Sequence, residues 1–214
     1  MLQLQGLFAM AGMVLALAAP AKGALVTFAF EGTVYDVPME LAESFHSGDQ
    51  VSGSITFDSD TAPTSELFPG SPRMGAYQGA VKSLTVHIGT YTGGNRSSEG
   101  TGLVVVTADR RRGDSFVVHS PFHGPNIGPF SSSFRPDSNT FTLELEDPTA
   151  STLESDALPA NPPARFSAFP GSSMRLFFSD GVHIRSVAMA VTKVRSEITA
   201  AVTDESLWRR PIGR

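Results

Sequence analysis

Asp58, Ser59 and Asp60, with Glu66 beyond them, gather carboxylate and hydroxyl oxygens within a short stretch, the donor set that a hard cation such as calcium takes. The spacing is not that of an EF-hand loop, because no Gly-x5-Glu follows. Asp and Ser also close turns by accepting backbone hydrogen bonds, and that is the expected use here. Asp58, Asp60 and Glu66 are therefore weak calcium candidates, and no other cofactor is expected. His119 and His123 stand four apart, a spacing that shares a metal ion when both lie on one helical face; Pro121 between them and the strand-like setting remove that geometry. Glu144 and Glu146 project from one side of a single segment, whereas a glycosidase pair usually faces one sugar from two different strands. The serines, Ser131, Ser132 and Ser133 included, belong to no Gly-x-Ser-x-Gly elbow. With no cysteine in the chain, thiol nucleophiles, thiolate metal sites and disulfide frameworks are excluded. No catalysis is expected.

Binding residues are equally sparse. Tyr35, Tyr77, Tyr91 and Trp208 combine a ring with a polar handle, as sugar-stacking residues do, while most of the 15 Phe fit core positions. The formal net charge is -5, which argues against non-specific binding to nucleic acid. Arg110, Arg111 and Arg112 form the one basic run, and beside Asp109 and Asp114 it reads as a solvated hairpin tip.

The elements that must position these residues alternate with period two, as expected where a sheet buries one face. Val26, Phe28 and Phe30 alternate with Thr27, Ala29 and Glu31, and Val51, Gly53, Ile55 and Phe57 with Ser52, Ser54 and Thr56. Leu84, Val86 and Ile88 oppose Ser83, Thr85 and His87. Phe141, Leu143 and Leu145 oppose Thr142, Glu144 and Glu146, where a one-residue slip would bury two carboxylates. Residues 103–106 are continuously apolar and predict a strand covered on both faces, with Phe116 and Val118 on its hairpin partner. Residues 174–178 and 182–194 complete the set, joined by a tight turn at Asp180-Gly181. Short helices are expected over residues 38–46 and 196–208, and Pro-rich loops or edge covers over 121–136 and 158–171. Eight or so strands separated by Gly and Pro predict an all-β fold, a two-sheet antiparallel sandwich of jelly-roll type with a short helix or two.

From Gly6 to Ala21 the chain is apolar or small throughout, then exits through Pro20, Ala21, Lys22 and Gly23. That pattern predicts a secretory signal over residues 1–23 with cleavage after Gly23, followed by a single domain over 24–195 and a tail over 196–214. A cysteine-free exported chain suits a bacterial envelope or culture-medium protein.

The run Gly48-Asp49-Gln50-Val51-Ser52-Gly53-Ser54-Ile55-Thr56-Phe57-Asp58 resembles a group of bacterial secreted proteins of the PEP-CTERM, exosortase-sorted type. Phe30-Glu31-Gly32-Thr33-Val34 before it is similar to their opening strand, and Tyr77-Gln78-Gly79-Ala80 to their Tyr-x-Gly-Ala segment. Ser155-Asp156-Ala157-Leu158-Pro159 and Met174-Arg175-Leu176-Phe177-Phe178 also look like their later region. The resemblance covers most of residues 25–195 and is one of strands and turns. It departs at the end, where Trp208-Arg209-Arg210-Pro211-Ile212-Gly213-Arg214 stands in place of a Pro-Glu-Pro motif, an apolar span and a basic cluster. The resemblance implies export in a Gram-negative bacterium, a β-sandwich, and association with an exopolysaccharide-producing surface or biofilm. The expected function is thus an exported non-catalytic protein with a structural, adhesive or matrix-associated role. Alternatives are a calcium-dependent carbohydrate-binding module and, after it, an extracellular polysaccharide hydrolase. Expected partners are extracellular polysaccharide or cell-surface matrix, with no nucleic acid and no stable membrane anchor once the signal is cut. The expected location is secreted or extracellular, with the periplasm as the alternative.

Overall fold

The computed structural model describes residues 25–64, 73–95, 102–133, 140–159 and 171–197. The signal at 1–23, Glu66, Trp208 and most of the second expected helix lie outside the described residues. Among the described residues ten strands form: β1 (Leu25–Asp36), β2 (Gln50–Asp58), β3 (Met74–Gln78), β4 (Val81–Ile88), β5 (Tyr91–Asn95), β6 (Leu103–Asp109), β7 (Gly113–Ser120), β8 (Phe141–Asp147), β9 (Ser173–Ser179) and β10 (Ile184–Glu197). The fold is all-β. Every pairing is antiparallel, in the order β3-β6-β7-β8-β9-β10-β1-β2-β4-β5.

The alternation expected from sequence sets the inner face. Phe28, Phe30, Ile55, Phe57, Leu84, Val86, Leu143 and Leu145 are all buried, while Glu31, Ser52, Thr85 and Glu146 on the opposite faces are exposed. Val104, Val105 and Val106 are buried in succession, as a strand covered on both faces requires. Hydrogen bonding is continuous from β9 into β10 through the 180–183 turn, so the strands form one sheet where two separate ones were expected. That sheet curls. β1 and β7 are separated in the hydrogen-bonded order by three strands, yet the rings of Phe28 and Phe116 approach to 5.3 Å. Phe57 meets Phe116 at 5.8 Å, Phe30 meets Phe141 at 6.0 Å, and Tyr91 meets Phe178 at 5.9 Å, so side chains from the two halves share one aromatic core. Gly53 makes room for this packing, because a Cβ there would collide with the Phe30 ring and with the Thr85 carbonyl oxygen.

Residues 38–46 do not form the helix expected of them. Met39–Leu41 makes a single 3-10 turn, after which Leu41 and Phe45 plug the end of the core, Phe45 lying 5.1 Å from Tyr91 and 5.7 Å from Phe178. Burying both residues over the mouth of the curled sheet outweighs the weak helical preference of so short a segment. Glu40 fastens the turn to β10, its Oε1 accepting from Arg185 Nε at 2.7 Å, and this bond holds the Glu40 carboxyl below its usual range. The strand expected over 182–194 begins later, at Ile184, because Val182 sits exposed in the preceding turn. At its other end β10 runs on through Ser196 and Glu197, residues expected to be tail. Residues 121–133 cover edges as expected: Gly94 and His123 exchange backbone hydrogen bonds at 3.0 and 2.8 Å, and Ser131 pairs likewise with Ser179. Among the described residues no helix is long and apolar enough to cross a membrane.

Candidate functional site

The calcium candidates sit at the end of β2. Asp58 Oδ1 accepts the Asp60 N–H at 3.1 Å, and Thr61 Oγ1 donates to the Asp58 carbonyl at 2.9 Å, which is an Asp-closed turn. Asp58 Oδ2 lies 3.8 Å from Lys82 Nζ, so an ammonium already stands beside this carboxylate. Among the described residues no three His, Asp or Glu side chains are grouped to share a metal ion.

His119 and His123 take separate partners. His119, half-buried on β7, places Nδ1 3.2 Å from Thr142 Oγ1, and burial pushes its imidazole below the ordinary value. His123 Nδ1 lies 2.5 Å from Ser133 Oγ in the edge-covering loop. Glu144 and Glu146 do sit side by side on the outer face of β8. Burial first, and then the neighbouring Glu146 carboxylate, push Glu144 above its usual range, against the pull of Arg175. Of the four aromatic candidates, Tyr77 and Tyr91 are buried and Tyr35 is 52% exposed on β1.

A cluster that the sequence reading missed surrounds Asp147 at the end of β8. Its buried carboxylate accepts from Thr149 N at 2.8 Å, Thr149 Oγ1 at 2.5 Å, Ser151 N at 3.0 Å, Ser151 Oγ at 3.2 Å and Thr152 Oγ1 at 2.5 Å. Burial alone would raise its pKa, but these donors outweigh that effect and hold the group far below the usual carboxylate range. Asp114, directly opposite Asp147 in the sheet, accepts the N–H groups of Thr152 and Leu153 at 3.0 and 2.8 Å. The two carboxylates bind the loop after β8 to the adjacent ends of β7 and β8, holding Ala150 in the left-handed region at φ 52°. The visible signal was the spacing Asp147-x-Thr149-x-Ser151-Thr152, a run of side chains that favour local turns. The same use recurs at Asp109, which accepts the Arg111 N–H at 2.8 Å and meets Arg73 Nη1 at 3.3 Å. Asp180 accepts the N–H groups of Val182 and His183 at 2.9 and 2.7 Å, and these bonds hold it down to about 2.

One set of polar side chains is arranged differently. Residues 43–49, the Gly89-Thr90 turn between β4 and β5, and residues 125–127 enclose an open cleft of about 520 Å3. Its floor is Tyr91, 7% exposed and braced by Phe45, Phe122 and Phe178. Backbone bonds fix the walls: Gly48 N–H to Val34 O at 2.8 Å, and Ile127 with Phe130 in both directions at 2.9 Å. Asp49 Oδ2 accepts the His46 N–H at 2.8 Å. The side chains of Glu43, Ser44, Thr90 and Asn126 form no hydrogen bond among the described residues. No local pattern marked this cleft, because its lining comes from three segments far apart in sequence. In comparisons with known proteins, no family model, no curated protein and no solved structure matches this chain.

Proposed function

We propose that this chain is an exported, non-catalytic protein with a structural, adhesive or matrix-associated role outside the cell. The observation that carries the reading is how its acidic groups are used: Asp58, Asp109, Asp114, Asp147 and Asp180 each accept backbone N–H groups that shape a turn or loop. A chain without disulfides that commits its carboxylates to holding loops is built for rigidity under exposure, whereas acid–base catalysis needs them poised for proton transfer. The apolar run before the first strand supports export. The curled sheet is read here as the two layers of a sandwich, β3-β6-β7-β8-β9 against β10-β1-β2-β4-β5, a reading supported by the Phe28–Phe116 and Phe57–Phe116 contacts between them.

Fractionation of producing cells tests the proposal. The expected result is a chain lacking residues 1–23 in the medium or the extracellular matrix, and no turnover of polysaccharide by the purified protein. An uncut chain in the cytoplasm, or turnover that is lost on replacing Glu144 or His119, would overturn it.

A further inference from the structure

We propose that the Asp147–Pro148 peptide bond is a latent self-cleavage site, with the Asp147 carboxylate as its nucleophile and the loop after β8 as the clasp that holds the reaction back. The reaction takes place once per chain and acts on no other molecule, so it goes beyond the non-catalytic role proposed above and does not depend on it. This is the one Asp–Pro bond in the chain. It is a tertiary amide, whose nitrogen carries no N–H and leaves as the basic secondary amine of a proline. Asp147 Oδ1 accepts the Thr149 N–H at 2.8 Å, closing an Asx turn that runs through this bond and lays the carboxylate alongside it. The Asp147 carbonyl oxygen accepts the Ala150 N–H at 3.1 Å, which polarises the carbonyl to be attacked. Water has access, because Asp147 and Pro148 line an open hollow of about 220 Å3 together with Arg112, Gly113, Asp114 and Glu146.

In the step itself, a carboxylate oxygen of Asp147 attacks the main-chain carbonyl carbon of the same residue and closes a five-membered cyclic anhydride. The C–N bond to Pro148 breaks, and its nitrogen takes a proton from water or from the carboxyl of Glu146, exposed in the same hollow. One water molecule then opens the anhydride, restoring the Asp147 side chain beside a new α-carboxylate. Acid favours protonation of the leaving nitrogen, while the donors around Asp147 keep its carboxyl ionised below the usual range, so nucleophile and proton are present together. The charged groups that share the hollow are Arg112 from the β6–β7 turn, Asp114 from β7 and Glu146 from β8; the first favours the ionised nucleophile and the two acids oppose it. The clasp keeps the bond intact. Oδ1 is bound by the N–H and hydroxyl of Thr149, and Oδ2 by the N–H and hydroxyl of Ser151 and the hydroxyl of Thr152, so neither oxygen attacks until its donors let go. Because β9 and β10 lie between β8 and β1 in the sheet, the two pieces stay paired after cleavage.

The test incubates the purified full chain at about pH 3, 4 and 5, with the fold followed by circular dichroism and fragments read by mass spectrometry after denaturation. The expected product is a pair of fragments, one ending at Asp147 and one beginning at Pro148, formed faster as the pH falls and faster by about tenfold or more in urea than in the folded chain. Thr149→Val and Thr152→Val each remove a hydroxyl donor from a different carboxylate oxygen, and each should speed cleavage of the folded chain about fivefold. Gly53→Ala loosens the core at β2 and should leave the folded-state rate unchanged, which separates opening of the loop from unfolding of the whole. Asp147→Asn and Pro148→Ala should slow the break about tenfold or more even in urea, where the clasp has no part. The proposal is overturned by no break at this bond in the folded threonine variants, by a break that persists in Asp147→Asn, by a wild-type chain that breaks as fast folded as in urea, or by Gly53→Ala accelerating it as much as the threonine variants do.

Discussion

Replacing Asp147 by Asn keeps the shape of the side chain and removes what the loop after β8 depends on. Five donors converge on the two carboxylate oxygens, two of them backbone N–H groups. A carboxamide offers one oxygen and turns its NH2 toward at least two of those donors. Each buried donor left unmatched costs about 1–3 kcal/mol, so after some relaxation the loss is about 3 kcal/mol. For a domain of this size that corresponds to a fall in melting temperature of about 6–12 °C at pH 7, readable by circular dichroism. The pH dependence supplies an independent check. The folded-state pKa is depressed, so the stabilisation is fully present above the unfolded value of about 3.9 and is lost as pH falls toward the folded value. Below about pH 3.9 the wild-type advantage over Asp147→Asn should shrink by about 1.4 kcal/mol per pH unit. A variant melting within about 1 °C of wild type, or a stability gap identical at about pH 7 and about pH 2.5, would refute the argument.

Other perturbations follow from the same structure. Ala150→Gly relieves a left-handed residue and should stabilise by about 0.5–1 kcal/mol in urea denaturation, unless the loop relaxes away from φ 52°. Gly53→Ala places a methyl against Phe30 and the Thr85 carbonyl and should destabilise by about 1–3 kcal/mol; a neutral outcome would mean that β2 is less closely packed than described. His119 has a folded-state pKa lowered by burial, so it should titrate below about 6.5 by NMR, and its contribution to stability should fall as pH drops through that range. His119→Gln should flatten that part of the stability profile. Glu146→Gln should bring the Glu144 midpoint down toward its ordinary value, measured by side-chain carbon shifts, because it removes the like charge that helps hold Glu144 up.

Which side chains face inward was legible in the order of residues along the strands that alternate with period two. In Phe141–Asp147, for instance, the apolar residues alternate with Thr142, Glu144 and Glu146, and the register is the one that keeps both glutamates out of the core. Turn chemistry was legible too, at the Arg110–Arg112 tip and at Asp180-Gly181, where Gly113 and Gly181 adopt φ of 103° and 93°. The 3-10 turn at Met39–Leu41 was misread as a helix, because Leu41 and Phe45 have helical spacing, whereas Phe45 is held by the rings of Tyr91 and Phe178 from distant strands. Asp58 and Asp60 were legible as turn formers, and Asp147 was not. Nor was the pairing of Asp147 opposite Asp114 across β7 and β8.

The all-β class, the buried face of the alternating strands β1, β2, β4 and β8, and the turns at 110–113 and 180–181 were thus set by the sequence, since period and turn chemistry are local properties of the chain; β3 and β5 were not. Tertiary structure alone decided that β10 lies against β1, that the sheet curls until Phe28 reaches Phe116, and that Glu43, Asp49, Thr90 and Asn126 line one cleft. A period of two names a face but not the strand that will cover it. That choice belongs to contacts between residues far apart in the chain, which leave no mark in any short window.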